Sequence, residues 1–148
     1  MSGKLELLLS GRIPPGVYRW PSRATTAKIS TRILEQGWAF ALLEGKGITA
    51  KTEFLTTISR ALRFPSYFGG NWDALEECLH DLSWLPVEHG RLLLYERAGC
   101  FQKASPEQFA TAVEIFQSAV EHWRSTATPM VFLLRGLGRG FSGCLPEL

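Results

Sequence analysis

Apolar residues recur along this chain in two alternating rhythms. Trp38–Leu43, Leu92–Tyr95 within Arg91–Glu96, and Met130–Leu134 are short runs set off by glycine, proline or charge. Such runs are too short for helices and read as buried strands. Between them, apolar positions return every three or four residues, the spacing of a helix with one buried face. Phe54, Leu55, Ile58, Ala61 and Leu62 mark one helix over 51–62, stopped by Pro65. Trp72, Leu75, Leu79 and Leu82 mark a second, with Asn71 placed as its N-cap and Asp73 in its first turn. Phe109, Ala112, Val113, Phe116, Ala119, Val120 and Trp123 mark a third, opened by Ser105-Pro106-Glu107 and running to about Arg124. Nearer the start, Val17-Tyr18-Arg19-Trp20 has the composition of an edge strand. Ala27, Ile29, Ile33 and Leu34 then predict an amphipathic helix, capped by Ser22 and ended by Gly37.

Strands alternating with helices at these lengths predict an α/β fold. Its sheet is small and mainly parallel, with three core strands and a candidate fourth at the N-terminal edge, joined by right-handed crossovers. The length of 148 residues suits one domain, placed at 17–135, with 17–37 as an extension before the first core strand. Residues 1–16, closed by Ile13-Pro14-Pro15-Gly16, are expected to form a loose arm, and the glycine-containing tail 136–148 to be loosely ordered. No internal repeat is visible.

Composition adds mostly exclusions. An apolar share of 45% and a charged share of 20% are those of a globular chain, not a disordered one. A net charge of +2 argues against a nucleic-acid coat or a polybasic membrane binder. No apolar run approaches the roughly 18 residues of a membrane span, and the N-terminus lacks the pattern of a signal peptide, so a cytoplasmic location is expected. Cys78, Cys100 and Cys144 are odd in number and widely spaced, which signals reduced thiols rather than a disulfide framework or a zinc site.

The near-neutral average hides a local excess. The 27 residues Phe64–Gly90 hold Asp73, Glu76, Glu77, Asp81 and Glu88 and no Lys or Arg, while the other 121 residues carry 16 positive and nine negative charges. Asp73, Glu76, Glu77 and His80 are three or four residues apart and share one helix face, opposite the apolar stripe. Like charges so placed repel by a few tenths of a kcal/mol per pair, roughly. A hydrated surface tolerates that, and the same surface attracts a cationic partner. Tyr67, Phe68 and Trp72 lie beside the carboxylates in sequence, and Gly69-Gly70 allows close backbone approach.

The segment Phe64-Pro65-Ser66-Tyr67-Phe68-Gly69-Gly70-Asn71-Trp72-Asp73-Ala74-Leu75-Glu76-Glu77-Cys78-Leu79 resembles the loop and helix of the barstar family, intracellular inhibitors of barnase-type ribonucleases. With the flanking elements the resemblance covers about Trp38 to Arg135, leaving residues 1–37 as an extension of the kind found in longer relatives. It implies a partner rather than a substrate: a ribonuclease whose basic active site is plugged by an acidic loop and helix that mimic RNA phosphates, the alternative being a protein-interaction module of barstar-like fold with a non-ribonuclease partner. Carried over by position, it implies contacts from Tyr67, Asn71, Trp72, Asp73 and Glu77, the last in place of a central aspartate. Glu76 stands where the family has a contact tryptophan, and Ser118 where it has an acidic contact. Phe68, Gly69, Gly70, His80 and Asp81 complete the expected partner-binding set. Carboxylates at one-turn intervals, roughly 5.4 Å, suit adjacent phosphate subsites. The expected state is a free monomer without cofactor, metal, membrane or direct nucleic-acid contact.

Two rival classes draw on features of the chain. Asp73 and Glu77 with His80 could form an acid/base pair or a metal site, but no second ligand pair accompanies them, so catalysis is not expected. Arg19, Arg23, Lys28 and Arg32 could form a basic stripe for nucleic acid, and Gly136-Leu137-Gly138-Arg139-Gly140, with Arg135 and Arg139, superficially suggests a phosphate loop. No helix or Walker lysine follows those glycines, so that signal is weak.

Overall fold

A computed structural model describes residues 3–66, 68–138 and 145–148. Its centre is a four-stranded sheet built from β1 (Val17–Arg19), β2 (Ala39–Glu44), β3 (Arg91–Glu96) and β4 (Met130–Leu134). The order is β1-β4-β3-β2 and every pairing is parallel, so the N-terminal strand joins as an edge, beside β4. The registers Leu93↔Phe132 and Leu43↔Tyr95 align side chains that face the same way.

Alternation along the strands sorts the core into two layers. Leu93, Tyr95, Phe132 and Leu134 face a cluster covered by α3 (Lys51–Ala61), α4 (Trp72–Asp81), α5 (Gly99–Ala104) and α6 (Pro106–Trp123). Leu92, Leu94, Val131 and Leu133 face a second cluster, covered by α1 (Lys4–Leu9) and α2 (Thr26–Glu35). The result is a three-layer α/β domain.

The described N-terminal residues are not a loose arm. Leu5, Leu8 and Leu9 of α1 are buried in the second cluster, and Tyr18 reaches back to donate to the Pro14 carbonyl at 2.6 Å. Three leucines on a single turn and a half give that helix a buried face too short to register as periodicity. The tail differs from expectation in the same sense. The backbone of Arg19 is bonded to two residues of the tail, donating from N to Pro146 O at 2.9 Å and accepting at O from Leu148 N at 3.0 Å, and Leu145 and Leu148 are buried. Residues 139–144, which include Cys144 and Arg139, lie outside the described set.

Smaller corrections have local causes. Thr25, not Ser22, caps α2 by accepting from Lys28 N, and Leu34 is 58% exposed because Ile29 and Ile33 alone point at the sheet. β2 is an edge strand, so its burial is partial and Leu42 is 39% exposed. The short α5 was absent from the sequence pattern. Ser105 does sit at the N-cap of α6, but its hydroxyl donates to the Thr49 carbonyl at 2.9 Å instead of capping.

One ionic knot ties the extension to the sheet. Arg135, just past β4, donates from Nε to Glu96 Oε1 at 2.7 Å and makes a second contact to Oε2. Its Nη1 donates to the carbonyls of Ser22 at 3.0 Å and Ala24 at 2.7 Å, while Thr26 donates to Glu96 Oε2 at 2.8 Å.

Candidate functional site

Asn71 starts α4 as the sequence requires: its Oδ1 accepts from Ala74 N at 2.7 Å. From that start Leu75, Cys78 and Leu79 point into the core, and Asp73, Glu76 and Glu77 are turned out. Asp73, Glu76, Glu77, His80 and Asp81 line one open groove of about 530 Å³. The four carboxylates are exposed, and among the described residues none of them forms an ion pair. Asp73 near the helix start is favoured by the helix dipole, whereas Asp81 in the last turn is opposed by it. The face is therefore strongly negative and unneutralised. Burial, reinforced by Asp81 and Glu77, pushes the Cys78 thiol up, so it stays a neutral packing group.

The neighbouring helix completes the surface. Trp123, at the end of α6, donates its indole N–H to the Leu79 carbonyl at 2.8 Å and fixes α6 against α4. That places Ser118 Oγ 3.0 Å from His80 Nε2, so the structure joins these two expected residues. It also adds one the sequence reading missed. The His122 ring stacks on His80 with centroids 4.4 Å apart and planes within 11°. The available signal was the one-turn spacing of Ser118 and His122 on the flank of α6 facing α4. Burial holds the His80 imidazole below the ordinary histidine range; His122 acts the same way, and Glu76 and Ser118 oppose it.

The loop residues are less free than expected. Phe68 is half-buried against the core and meets Phe64 edge-on at 5.0 Å. Trp72 is also half-buried: its ring lies 5.9 Å from Phe54, and its N–H donates to Gln108 Oε1 at 3.1 Å. Both rings belong largely to the core edge and offer only part of their surface outward. Gly70 has φ +70° with open space around it, which suits a glycine at this turn, while Gly69 lies against Asn71 and Ala74. Tyr67 lies outside the described residues.

The rival sites fare differently. Arg19 pairs with Glu147 at 2.7 Å and Arg32 with Glu6 at 3.6 Å, so half of the supposed basic stripe is neutralised within the chain. Arg135 is committed to Glu96. Among the described residues no group of three or more His, Cys, Asp or Glu is placed to hold a metal ion. Among them, too, no helix is long and apolar enough to cross a membrane.

A family model described as Barstar (barnase inhibitor) matches residues 38–135, from the residue before β2 to the residue after β4. No curated protein matches the chain. The matched span holds the acidic groove, Ser118 and the three strands that were expected as the core. Sequence motif, three-layer architecture and family match agree, and the chain belongs to the barstar family.

Proposed function

We propose that this protein inhibits a ribonuclease inside the cell that makes it, by seating the acidic face of α4 in the enzyme's cationic active site. The observation that carries the reading is the groove of Asp73, Glu76, Glu77, His80 and Asp81, open to solvent and, among the described residues, without a cation paired to its carboxylates. A protein that kept these charges for stability would pair them; here like charges crowd one helix and Asp81 opposes its dipole. Ribonuclease sites bind phosphates through cations, often arginine in bidentate geometry, and carboxylates are the side chains that substitute for phosphate oxygens there. In this arrangement Asp73 and Glu77 supply the central charges, Glu76 and Asp81 the flanks, and Ser118 a polar contact from α6. Asn71, Gly69, Gly70, Tyr67 and the outer edges of Phe68 and Trp72 form the loop side of the contact.

The test is inhibition of barnase-type ribonucleases by the wild-type chain and by Asp73→Asn and Glu77→Gln. Truncating one partner of a buried charge pair costs about 2–5 kcal/mol, so each variant is expected to weaken inhibition by roughly 30-fold or more. Thermal stability should hold, because both side chains are exposed and have no ion-pair partner among the described residues. Unchanged inhibition in both variants refutes the role of the face.

A further inference from the structure

His80 and His122 are placed unlike the other polar residues of this surface. Their rings lie face to face between two helices, 4.4 Å apart, at the rim of the acidic groove. We propose that this stacked pair makes the inhibitor's grip acid-labile: protonation of the pair loosens α4 from α6 at the rim and cancels part of the charge a cationic partner reads. The inference concerns the regulation of the same face and rests on its reading as the ribonuclease-binding surface.

The geometry sets the energetics. Two neutral imidazoles stack favourably, and one imidazolium over a neutral ring is still attractive. Two imidazolium rings face to face repel, and the stack must open to take the second proton. The groups around the pair are Glu76, Glu77 and Asp81 on α4, with Asp73 further along the groove. On α6 they are Ser118 at 3.0 Å from His80, Glu114 one turn before Ser118, and Glu121, which Arg124 holds at 3.0 Å. The Trp123 ring meets His122 edge-on at 5.0 Å, and the Arg91 guanidinium lies over that indole at 4.5 Å. Burial and the neighbouring His122 oppose a proton on His80, while Glu76 and Ser118 favour it.

Binding tips this balance in a fixed direction. A cationic active site pressed onto the groove excludes water and adds positive charge beside His80, so the complex holds the pair neutral. Any proton carried by the free protein must leave on association. By linkage, affinity then falls about tenfold per pH unit, for each proton expelled, below the midpoint of His80 in the free protein.

Two measurements on the full chain test this separately. Imidazole resonances followed by NMR from about pH 8 to 5 need no partner: the His80 midpoint should rise in His122→Gln, and an unmoved midpoint overturns the coupling. Calorimetry with barnase as the probe, over the same range, compares wild type with the double variant His80→Gln/His122→Gln and so cancels the enzyme's own titration. Wild type should lose about tenfold more affinity per pH unit than the double variant in the acid limb. Equal slopes overturn the proposal. No binding by either chain at any pH counts against the ribonuclease reading instead, and the NMR result then decides the pair alone.

Discussion

Replacing Arg135 by methionine tests the ionic knot that fastens the extension to the sheet. Methionine keeps much of the apolar stem and deletes every donor. The Glu96 and Arg135 side chains are only 10% and 14% exposed, so water cannot replace what is lost. Glu96 keeps Thr26 as a donor, and the carbonyls of Ser22 and Ala24 lose the Arg135 bonds. Breaking a buried pair in this way costs about 3–5 kcal/mol. In a domain of this size that lowers Tm by on the order of 10 °C. The pH dependence carries a sign that a generic packing loss does not. In the wild type the hydrogen bonds from Arg135 outweigh burial and hold the Glu96 carboxyl below the ordinary carboxylate range; Thr26 and the charges of Arg135 and Arg97 add to this. Its contribution is therefore complete above the unfolded value, about 4.3, and is lost as pH falls through the lower folded value. Without the arginine, burial is opposed only by Thr26 and the Arg97 charge, and the folded value is expected to rise above the unfolded one. The variant then gains stability as pH falls from 7 towards 5, where the wild type gains nothing from this group. Urea unfolding followed by tryptophan fluorescence at both pH values measures the gap. A loss under about 1 kcal/mol at pH 7, or a gap that fails to narrow at pH 5, refutes the reasoning.

Three further substitutions have expected outcomes in chemical or thermal denaturation. Gly45→Ala would place a methyl 2.5 Å from the Glu96 carbonyl oxygen and 2.8 Å from that of Arg97, both backbone, and should cost about 1–3 kcal/mol. Phe54→Ala should cost about 3–5 kcal/mol, since that ring is fully buried and stacks on Phe101 at 5.2 Å. Asn71→Ala removes the cap of α4 and should cost about 1 kcal/mol in thermal melts, enough to blunt the acidic face without unfolding the domain.

The reach of the sequence differs from element to element, for physical reasons. β3 and β4 carry unbroken apolar runs because both of their faces are covered, and their limits were readable to the residue. The Asn71 cap and the outward carboxylates of α4 were equally legible, since both follow from local geometry. Helix α1 was not, because three leucines in one turn and a half resemble any short apolar stretch until a sheet lies beneath them. Leu34 shows the converse: it fits the helical stripe but projects beside the sheet edge. At the site, the packing of Phe68 and Trp72 and the meeting of His80 with His122 depend on how α3, α4 and α6 come together. Nothing within any one of those segments specifies it.

The second cluster of the core has a consequence for where this protein can be cut. Half of its buried members, Leu5, Leu8, Leu9, Tyr18, Ile29 and Ile33, precede residue 38, where the family match begins. A fragment trimmed to residues 38–135 would leave Leu92, Leu94, Val131 and Leu133 as a bare oily patch on its central strands. The stretch that the family match spans and the stretch that covers both faces of the sheet are thus different parts of the same polypeptide, and expression boundaries belong to the second.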